Sequence, residues 1–135
     1  MISVLDSLGL ALETGLLVLI WLVQLVIYPS FREIDEERFP SWHERYSFRV
    51  SFVVIPLMFA QLGLSGFRVI SRPSVLEALH VAGCLAAWAI TFLFAVKLHR
   101  QLRNEGREQA LIDRLLAMNA FRTDVWTATW GVGFL

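Results

Sequence analysis

The chain of 135 residues has the length of one small domain. Hydrophobic residues make up 56% of it and charged residues 18%, whereas soluble domains average about 45–50% and about 25%. This composition excludes an ordinary soluble globule, a disordered chain and a collagen-like fibre. Basic and acidic residues balance, so bulk charge does not indicate nucleic-acid binding, and the single cysteine excludes an intramolecular disulfide.

Four stretches of the chain indicate helices that cross a membrane, each of which needs about 20 mostly apolar residues. Residues 14–31 and 50–67 contain no Asp, Glu, Lys or Arg, and residues 78–96 are interrupted only by His80. The fourth stretch, 115–135, carries Arg122 and Asp124 and is the weakest. We predict an all-α protein, a single integral membrane domain of four transmembrane helices near residues 8–29, 42–70, 75–103 and 108–135.

A secretory signal peptide is the competing interpretation of the first stretch. Residues 1–13 contain no Lys or Arg, and no small-residue cleavage site follows before Tyr28. We therefore expect the first helix to be retained.

The connections between the stretches predict where the helices begin and end. Pro29 predicts the end of helix 1, because proline biases the residue before it away from helical geometry. Ser41 with Glu44, and Ser74 with Glu77, match the capping box that opens a helix.

Basic residues are distributed unequally between the two ends of the predicted bundle. Only Arg68 and Arg72 lie at the end that contains both termini. The other ten are Arg32, Arg38, Arg45, Arg49, Lys97, Arg100, Arg103, Arg107, Arg114 and Arg122. Cytoplasmic loops are enriched in Lys and Arg, so the ten predict the cytoplasmic side. We expect a multi-pass protein of a bacterial inner membrane with both termini on the outer, periplasmic side.

This topology gathers polar side chains from all four helices at the cytoplasmic end. They are Tyr28, His43, Tyr46, Arg49, Lys97, His99, Asn119, Arg122 and Asp124. Ionisable residues inside a membrane usually face protein or water, which favours a site built between the helices. The simpler interpretation is that Arg122 reaches lipid phosphate and Asp124 pairs with a neighbouring base.

His43 and His99 are the strongest candidates for functional residues, because imidazole is the usual proton carrier and metal ligand near neutral pH. Together they predict an acid–base pair, or ligands for a transition metal or a haem iron. The alternative is two interfacial histidines bonded to loop groups.

Other polar residues inside the stretches are expected to be structural. His80 is interpreted as an interfacial or packing histidine, and Glu13 as a residue at the outer headgroup level. Gln24 and Gln61 are expected to form hydrogen bonds between helices.

Several short motifs, taken in chain order, resemble a group of small uncharacterised four-helix bacterial membrane proteins. They are Tyr28-Pro29-Ser30-Phe31, Trp42-His43-Glu44-Arg45-Tyr46, Ile55-Pro56-Leu57-Met58 with Gln61, His99 followed by Leu102, and Asn119-Ala120-Phe121-Arg122-Thr123 followed by Trp126-Thr127. More distantly, the series is similar to the DUF1772 or anthrone-oxygenase-like proteins. The resemblance implies a membrane-embedded pocket near the cytoplasmic face. The matching positions are His43, Tyr46, His99, Asn119 and Arg122.

Two functions remain open from the sequence. The first is an oxidoreductase-type enzyme for a lipophilic, aromatic or isoprenoid substrate. In it His43 and His99 are acid–base groups or ligands, Tyr46 relays a proton, and Arg122 binds an anion. The second is a non-catalytic accessory or assembly subunit of a larger membrane complex. Expected partners are the bilayer, a lipophilic small molecule, and another membrane protein or a second copy, but no nucleic acid.

Overall fold

A computed structural model describes residues 3–133, which form four helices and no strand. The helices are α1 (Val4–Glu33), α2 (Phe39–Ser71), α3 (Val75–Glu105) and α4 (Gln109–Val132). The predicted all-α class is confirmed. The predicted end of the last helix, at residues 134 and 135, lies outside the described residues.

Three of these helices, α1, α2 and α3, are long and apolar enough to cross a membrane. They contain 30, 33 and 31 residues, so each is about 45–50 Å long, compared with about 30 Å for a bilayer core. Large apolar side chains such as Phe48 and Leu93 lie exposed on the outside of the bundle. A lipid bilayer therefore suits these helices.

Each helix packs against two others, which gives a closed four-helix arrangement. Helix α1 contacts α2 and α4, and α3 contacts the same two helices. Two apolar clusters fill the interior. One contains Tyr28, Phe31, Phe39, Leu102, Ile112 and Leu115, and the other contains Leu16, Ile20, Met58, Ala87 and Trp126. We call the end with the first cluster the His43 end and the opposite end the His80 end.

Helices α1 and α3 each contain one π-helical turn, Val23–Ile27 and Thr91–Ala95. Such widened turns are rare and frequently occur at functional sites. In α1 the π turn restarts the helical hydrogen bonding at Tyr28, so Pro29 occupies a first-turn position where its missing N–H costs little. The prediction that helix 1 ends at Pro29 is therefore wrong, and the helix continues to Glu33.

One of the two predicted helix starts is observed. The Ser74 hydroxyl accepts a hydrogen bond from the Glu77 backbone N–H at 3.1 Å and begins α3. Ser41 does not begin α2, and its hydroxyl donates to a carbonyl three residues earlier. Helix α2 starts two residues before Ser41, at Phe39, because Pro40 suits the first turn of a helix.

Gly83 of α3 lies directly against Thr129 of α4, and this contact yields a stability prediction. A Cβ at this position would lie 2.1 Å from Thr129 Oγ1 and 3.0 Å from Thr129 Cβ. Gly83→Ala should therefore overpack the contact and lower the unfolding free energy by about 1–3 kcal/mol. Thermal unfolding in detergent measures the change.

The matched control is Gly66→Ala in α2, where an added Cβ meets nothing within 4 Å. It should raise stability by about 0.5–1 kcal/mol, since alanine favours a helix over glycine. Equal melting temperatures for the two variants would contradict the close contact.

Candidate functional site

The structure brings His43 of α2 and His99 of α3 into direct contact. His43 Nε2 lies 2.9 Å from His99 Nδ1, and His99 Nε2 lies 2.9 Å from the hydroxyl of Tyr28 in α1. Both nitrogens of His99 are therefore engaged, and three helices contribute one side chain each to a hydrogen-bonded chain.

The hydrogen bonds couple the proton positions of the three side chains, because a neutral imidazole donates from one nitrogen and accepts at the other. If the Tyr28 hydroxyl donates to His99 Nε2, a neutral His99 carries its proton on Nδ1 and donates it to His43. His43 then carries its own proton on Nδ1, an atom that is buried and has no hydrogen-bond partner in the described structure. The chain thus runs from a buried tyrosine to a free imidazole nitrogen.

Aromatic rings enclose His43, which is 1% exposed. Phe39 stacks on its ring at 5.3 Å between centroids, and Phe31 meets it edge-on at 5.5 Å. The predicted relay residue Tyr46 lies beside the histidines, 6.1 Å from the His43 ring, but its hydroxyl forms no hydrogen bond with any described residue. The hydroxyl that bonds His99 belongs to Tyr28 instead.

Arg122 of α4 is buried, with 6% exposure. Its Nε and Nη2 donate to Asn119 Oδ1 at 3.1 and 2.5 Å, and its Nη1 donates to Thr91 Oγ1 at 3.1 Å. Its guanidinium carbon also lies 5.8 Å from the centre of the Trp126 ring. No carboxylate of residues 3–133 pairs with this cation. Its charge is compensated by uncharged groups, the Asn119 and Thr91 oxygens and the Trp126 ring. The interpretation that Arg122 reaches lipid phosphate is not observed.

Both π turns supply side chains to this arginine network. Asn119 Nδ2 donates to Gln24 Oε1 at 2.8 Å, and Gln24 lies within the π turn of α1. Thr91 is the first residue of the π turn of α3. Gln61 accepts from Trp126 Nε1 at 3.3 Å, so both glutamines form the predicted bonds between helices.

Arg122 also connects this network to the histidine chain. Its guanidinium is close enough to interact electrostatically with the Tyr28 hydroxyl, and its positive charge also acts on His99. The two networks therefore form one site, which extends from His43 to a buried cation.

The site opens to the outside of the bundle through a cavity of about 270 Å³ between α2 and α3. Its polar lining includes His43, Ser47, His99, Arg100 and Arg103. Because His43 Nδ1 is the end of the chain on this side, the cavity is where a small molecule would meet it.

The remaining predicted positions lie away from the site. Arg49 and Lys97 are exposed at the His43 end. Asp124 is exposed on the outer face of α4 and forms no ion pair within the described residues, so its predicted pairing with a base is wrong. It points outward because its neighbours Arg122 and Thr123 occupy the inward face.

The structure adds no support for the predicted metal or haem site at His43 and His99. The nitrogens that face each other are bonded to one another at 2.9 Å. No group of three or more His, Cys, Asp or Glu side chains that suits a metal gathers among residues 3–133. As placed, the two rings serve each other as hydrogen-bond partners.

A second polar cluster, at the His80 end, was not predicted as a unit. Glu13 is 5% exposed and His80 is 2% exposed. Glu13 Oε1 lies 3.3 Å from Arg68 Nη1 and 3.1 Å from His80 Nε2, the latter as an ion-pair contact without hydrogen-bond alignment. Glu13 lies inside the bundle, between its two partners, and its depth relative to the headgroups stays a prediction.

An exposed pair lies beside this cluster. Arg72, just beyond α2, approaches Asp6 Oδ1 at 2.6 Å through Nη2. The hydrogen bond to Asp6 raises the pKa of Arg72 above its ordinary value, so the arginine is always charged.

Comparisons of the chain with models of protein families, with curated proteins and with solved structures found no match.

The buried ion pair yields the second prediction. Glu13→Gln leaves an amide oxygen beside Arg68 but removes the negative charge, and the other carboxylate near Arg68, that of Asp6, is 3.9 Å from Nε. The unfolding free energy should therefore fall by about 3 kcal/mol, as read from thermal unfolding in detergent. The control is Asp113→Asn, which breaks the exposed pair with Arg32 and should change the melting temperature little. A melting temperature of Glu13→Gln equal to that of the control would show that the buried pair contributes nothing.

Proposed function

We propose that the protein crosses the inner membrane of a bacterium four times, with the His43 end in the cytoplasm and both termini outside. The positive-inside rule supports this orientation, since ten of the twelve basic residues lie at or near the His43 end. Contacts along α4 support the fourth crossing. Trp130 bonds Thr14 at 3.1 Å, and Asn119 bonds Gln24 at 2.8 Å, so α4 follows the apolar stretch of α1 in the opposite direction.

The site itself supports an acid–base centre. We propose that the protein is an oxidoreductase-type enzyme that acts on a lipophilic, aromatic or isoprenoid molecule at the His43 end. The observation that carries this proposal is the hydrogen-bonded chain from His43 through His99 to Tyr28, which ends beside the unpaired Arg122.

The chain would donate a proton in three concerted shifts. His43 Nδ1 gives its proton to the substrate, His99 Nδ1 gives its proton to His43 Nε2, and the Tyr28 hydroxyl gives its proton to His99 Nε2. Tyr28 is left as a phenolate, whose negative charge the buried Arg122 stabilises. The reverse shifts accept a proton and restore the chain. These residues supply only the proton transfer of an oxidation or reduction; the electron pair would be exchanged with a co-substrate in the same membrane, such as a quinone.

Asn119 and Tyr46 are positioning residues in this scheme. Asn119 Oδ1 accepts two hydrogen bonds from Arg122 and so fixes the cation beside Tyr28. Tyr46 stacks on Trp42 at 5.5 Å and contacts both imidazole rings, which restricts their motion.

Removal of one oxygen atom tests the proposal. Tyr28→Phe keeps the buried ring but ends the proton chain at His99. In cells that naturally make the protein, we expect wild type to convert a lipophilic membrane compound by a change of two hydrogens or one oxygen. The variant should convert it about a hundredfold or more slowly, as found when acid–base groups are lost.

Mass spectrometry of lipid extracts measures this conversion, with the exposed Arg114→Gln as the variant that retains it. Conversion by Tyr28→Phe at the wild-type rate would refute the acid–base role.

The second candidate function, an accessory subunit of a membrane complex, is favoured by the outer face of α4. Ala117, Phe121, Asp124 and Ala128 form an exposed stripe at helical spacing. Thr127 bonds Trp21, and Asn119 bonds Gln24, which places Asp124 at the middle of the apolar stretch of α1. A carboxylate facing lipid at this depth is costly, so a partner chain would cover it.

The size of the native assembly tests this candidate. Extracted in mild detergent, the wild-type protein should run as a complex larger than one chain, and Asp124→Ala should release the single chain. The exposed Asp113→Ala at the end of α4 serves as the control and should leave the complex intact. A wild-type protein that runs as a single chain would rule out this role for the stripe.

A further inference from the structure

The cavity at His43 is one end of a longer groove between α2 and α3. A second cavity of about 500 Å³ adjoins it, and Ser47, Ser51 and Arg103 line both. The second cavity continues along α2 past Phe52 to Pro56. Together the two have the volume of a typical small-molecule site, about 300–1,000 Å³.

The polar end of this groove holds two buried atoms without hydrogen bonds. They are Nδ1 of His43, a side chain that is 1% exposed, and Oγ of Ser47, one helical turn further along α2. Buried polar atoms almost always have a partner, because leaving one unpaired is costly. When Tyr28 donates to His99, both atoms carry a proton, so a ligand that accepts hydrogen bonds would satisfy them.

The charged side chains that line the groove indicate the charge of that ligand. Arg100 and Arg103 line the groove, and neither forms an ion pair with a carboxylate of the described chain. Glu44 is the one acidic side chain in the lining of the two cavities. Two unpaired guanidinium groups against one carboxylate favour an anion.

The other end of the groove is apolar. Phe48 and Phe52 are each 67% exposed and meet edge-on at 4.9 Å, and Ile55 follows them one turn along α2. These side chains lie on the outside of a helix that is apolar enough to cross a membrane. An apolar chain lying along them would remain in contact with lipid.

We propose that the groove binds an anionic amphiphile, a long apolar chain that ends in a phosphate. The phosphate accepts hydrogen bonds from His43 Nδ1 and Ser47 Oγ and pairs with Arg103, and the apolar chain lies along Phe48 and Phe52. The proposal rests on the proposed function in one respect, because it names the substrate class for the same His43 site.

Binding of three simple probes tests the ligand chemistry. The protein is reconstituted in nanodiscs of neutral phosphatidylcholine and titrated with dodecyl phosphate, dodecanol or inorganic phosphate, with native mass spectrometry as the readout. We expect one dodecyl phosphate per chain, bound at least about tenfold more tightly than either other probe. Equal binding of dodecanol would overturn the anion site, and equal binding of inorganic phosphate would overturn the role of the apolar chain.

Substitutions at the groove locate the binding. Arg103→Gln should weaken dodecyl phosphate binding about tenfold, and Ser47→Ala should weaken it severalfold. Glu44→Gln should tighten it, because it removes the one negative charge from the lining. Arg114→Gln, an exposed arginine of α4 that does not line the groove, is the matched control and should bind as wild type. Wild-type binding by Arg103→Gln and Ser47→Ala together would refute the site.

One further variant separates this inference from the proposed function. Tyr28→Phe interrupts the proton chain but leaves the residues that line the groove in place. It no longer fixes the proton on His43 Nδ1, so it should bind dodecyl phosphate at most severalfold more weakly than wild type, because Ser47 and Arg103 are unchanged. Retained conversion of the membrane compound by Tyr28→Phe would refute the acid–base function and would leave the proposal of a binding site standing. Retained conversion by Arg103→Gln, together with lost binding, would refute the substrate class alone.

Discussion

The interior of the bundle is organised around a positive charge that no described carboxylate neutralises. A buried guanidinium needs hydrogen-bond acceptors on all sides, and Arg122 obtains them from Asn119 and Thr91 while its charge lies against the Trp126 ring. Asn119 in turn requires Gln24. The polar residues of three helices thus have their positions determined by one cation. The same charge acts on the Tyr28 hydroxyl, which links the packing of the bundle to the histidine chain.

The two ends of the bundle differ in whether their buried charges are paired. At the His80 end, Glu13 neutralises Arg68 and lies beside His80, so charge is balanced within the fold. At the His43 end, Arg122 lacks a carboxylate and His43 leaves a ring nitrogen without a partner. Both ends hold buried polar atoms without a hydrogen bond, Arg68 Nε and His80 Nε2 at one end and His43 Nδ1 at the other. The His43 end differs in that its buried cation has no carboxylate partner among the described residues and lies beside a hydrogen-bonded chain that ends at a cavity, and for this reason it carries the proposed function.

Apolar runs and a shared bundle end were enough to predict four helices and to place His43 and His99 at similar depth. The bonds of Gln24 and Gln61 followed from the cost of an unpaired amide inside an apolar helix. The π turns could not be predicted, since they depend on packing between helices and leave no local pattern. Without them, the sequence predicts a helix end at Pro29 and does not indicate Tyr28 as the partner of His99. The contacts of Glu13 could not be predicted from local sequence, because its partners lie 55 and 67 residues away in the chain.

The widened turn in α3 has a geometric consequence for the residues that follow it. Each residue of an α-helix advances the side-chain direction by about 100°, so a helix that accommodates one extra residue presents a different face beyond that point. Thr91 precedes the shift and His99 follows it, yet both must face inward, one toward Arg122 and the other toward Tyr28. In a regular helix these two side chains, eight residues apart, would point about 80° apart, and the extra residue of the π turn brings their directions closer together. The π turn therefore changes the direction of the side chains that follow it, and a single helix contributes side chains to both inward-facing networks.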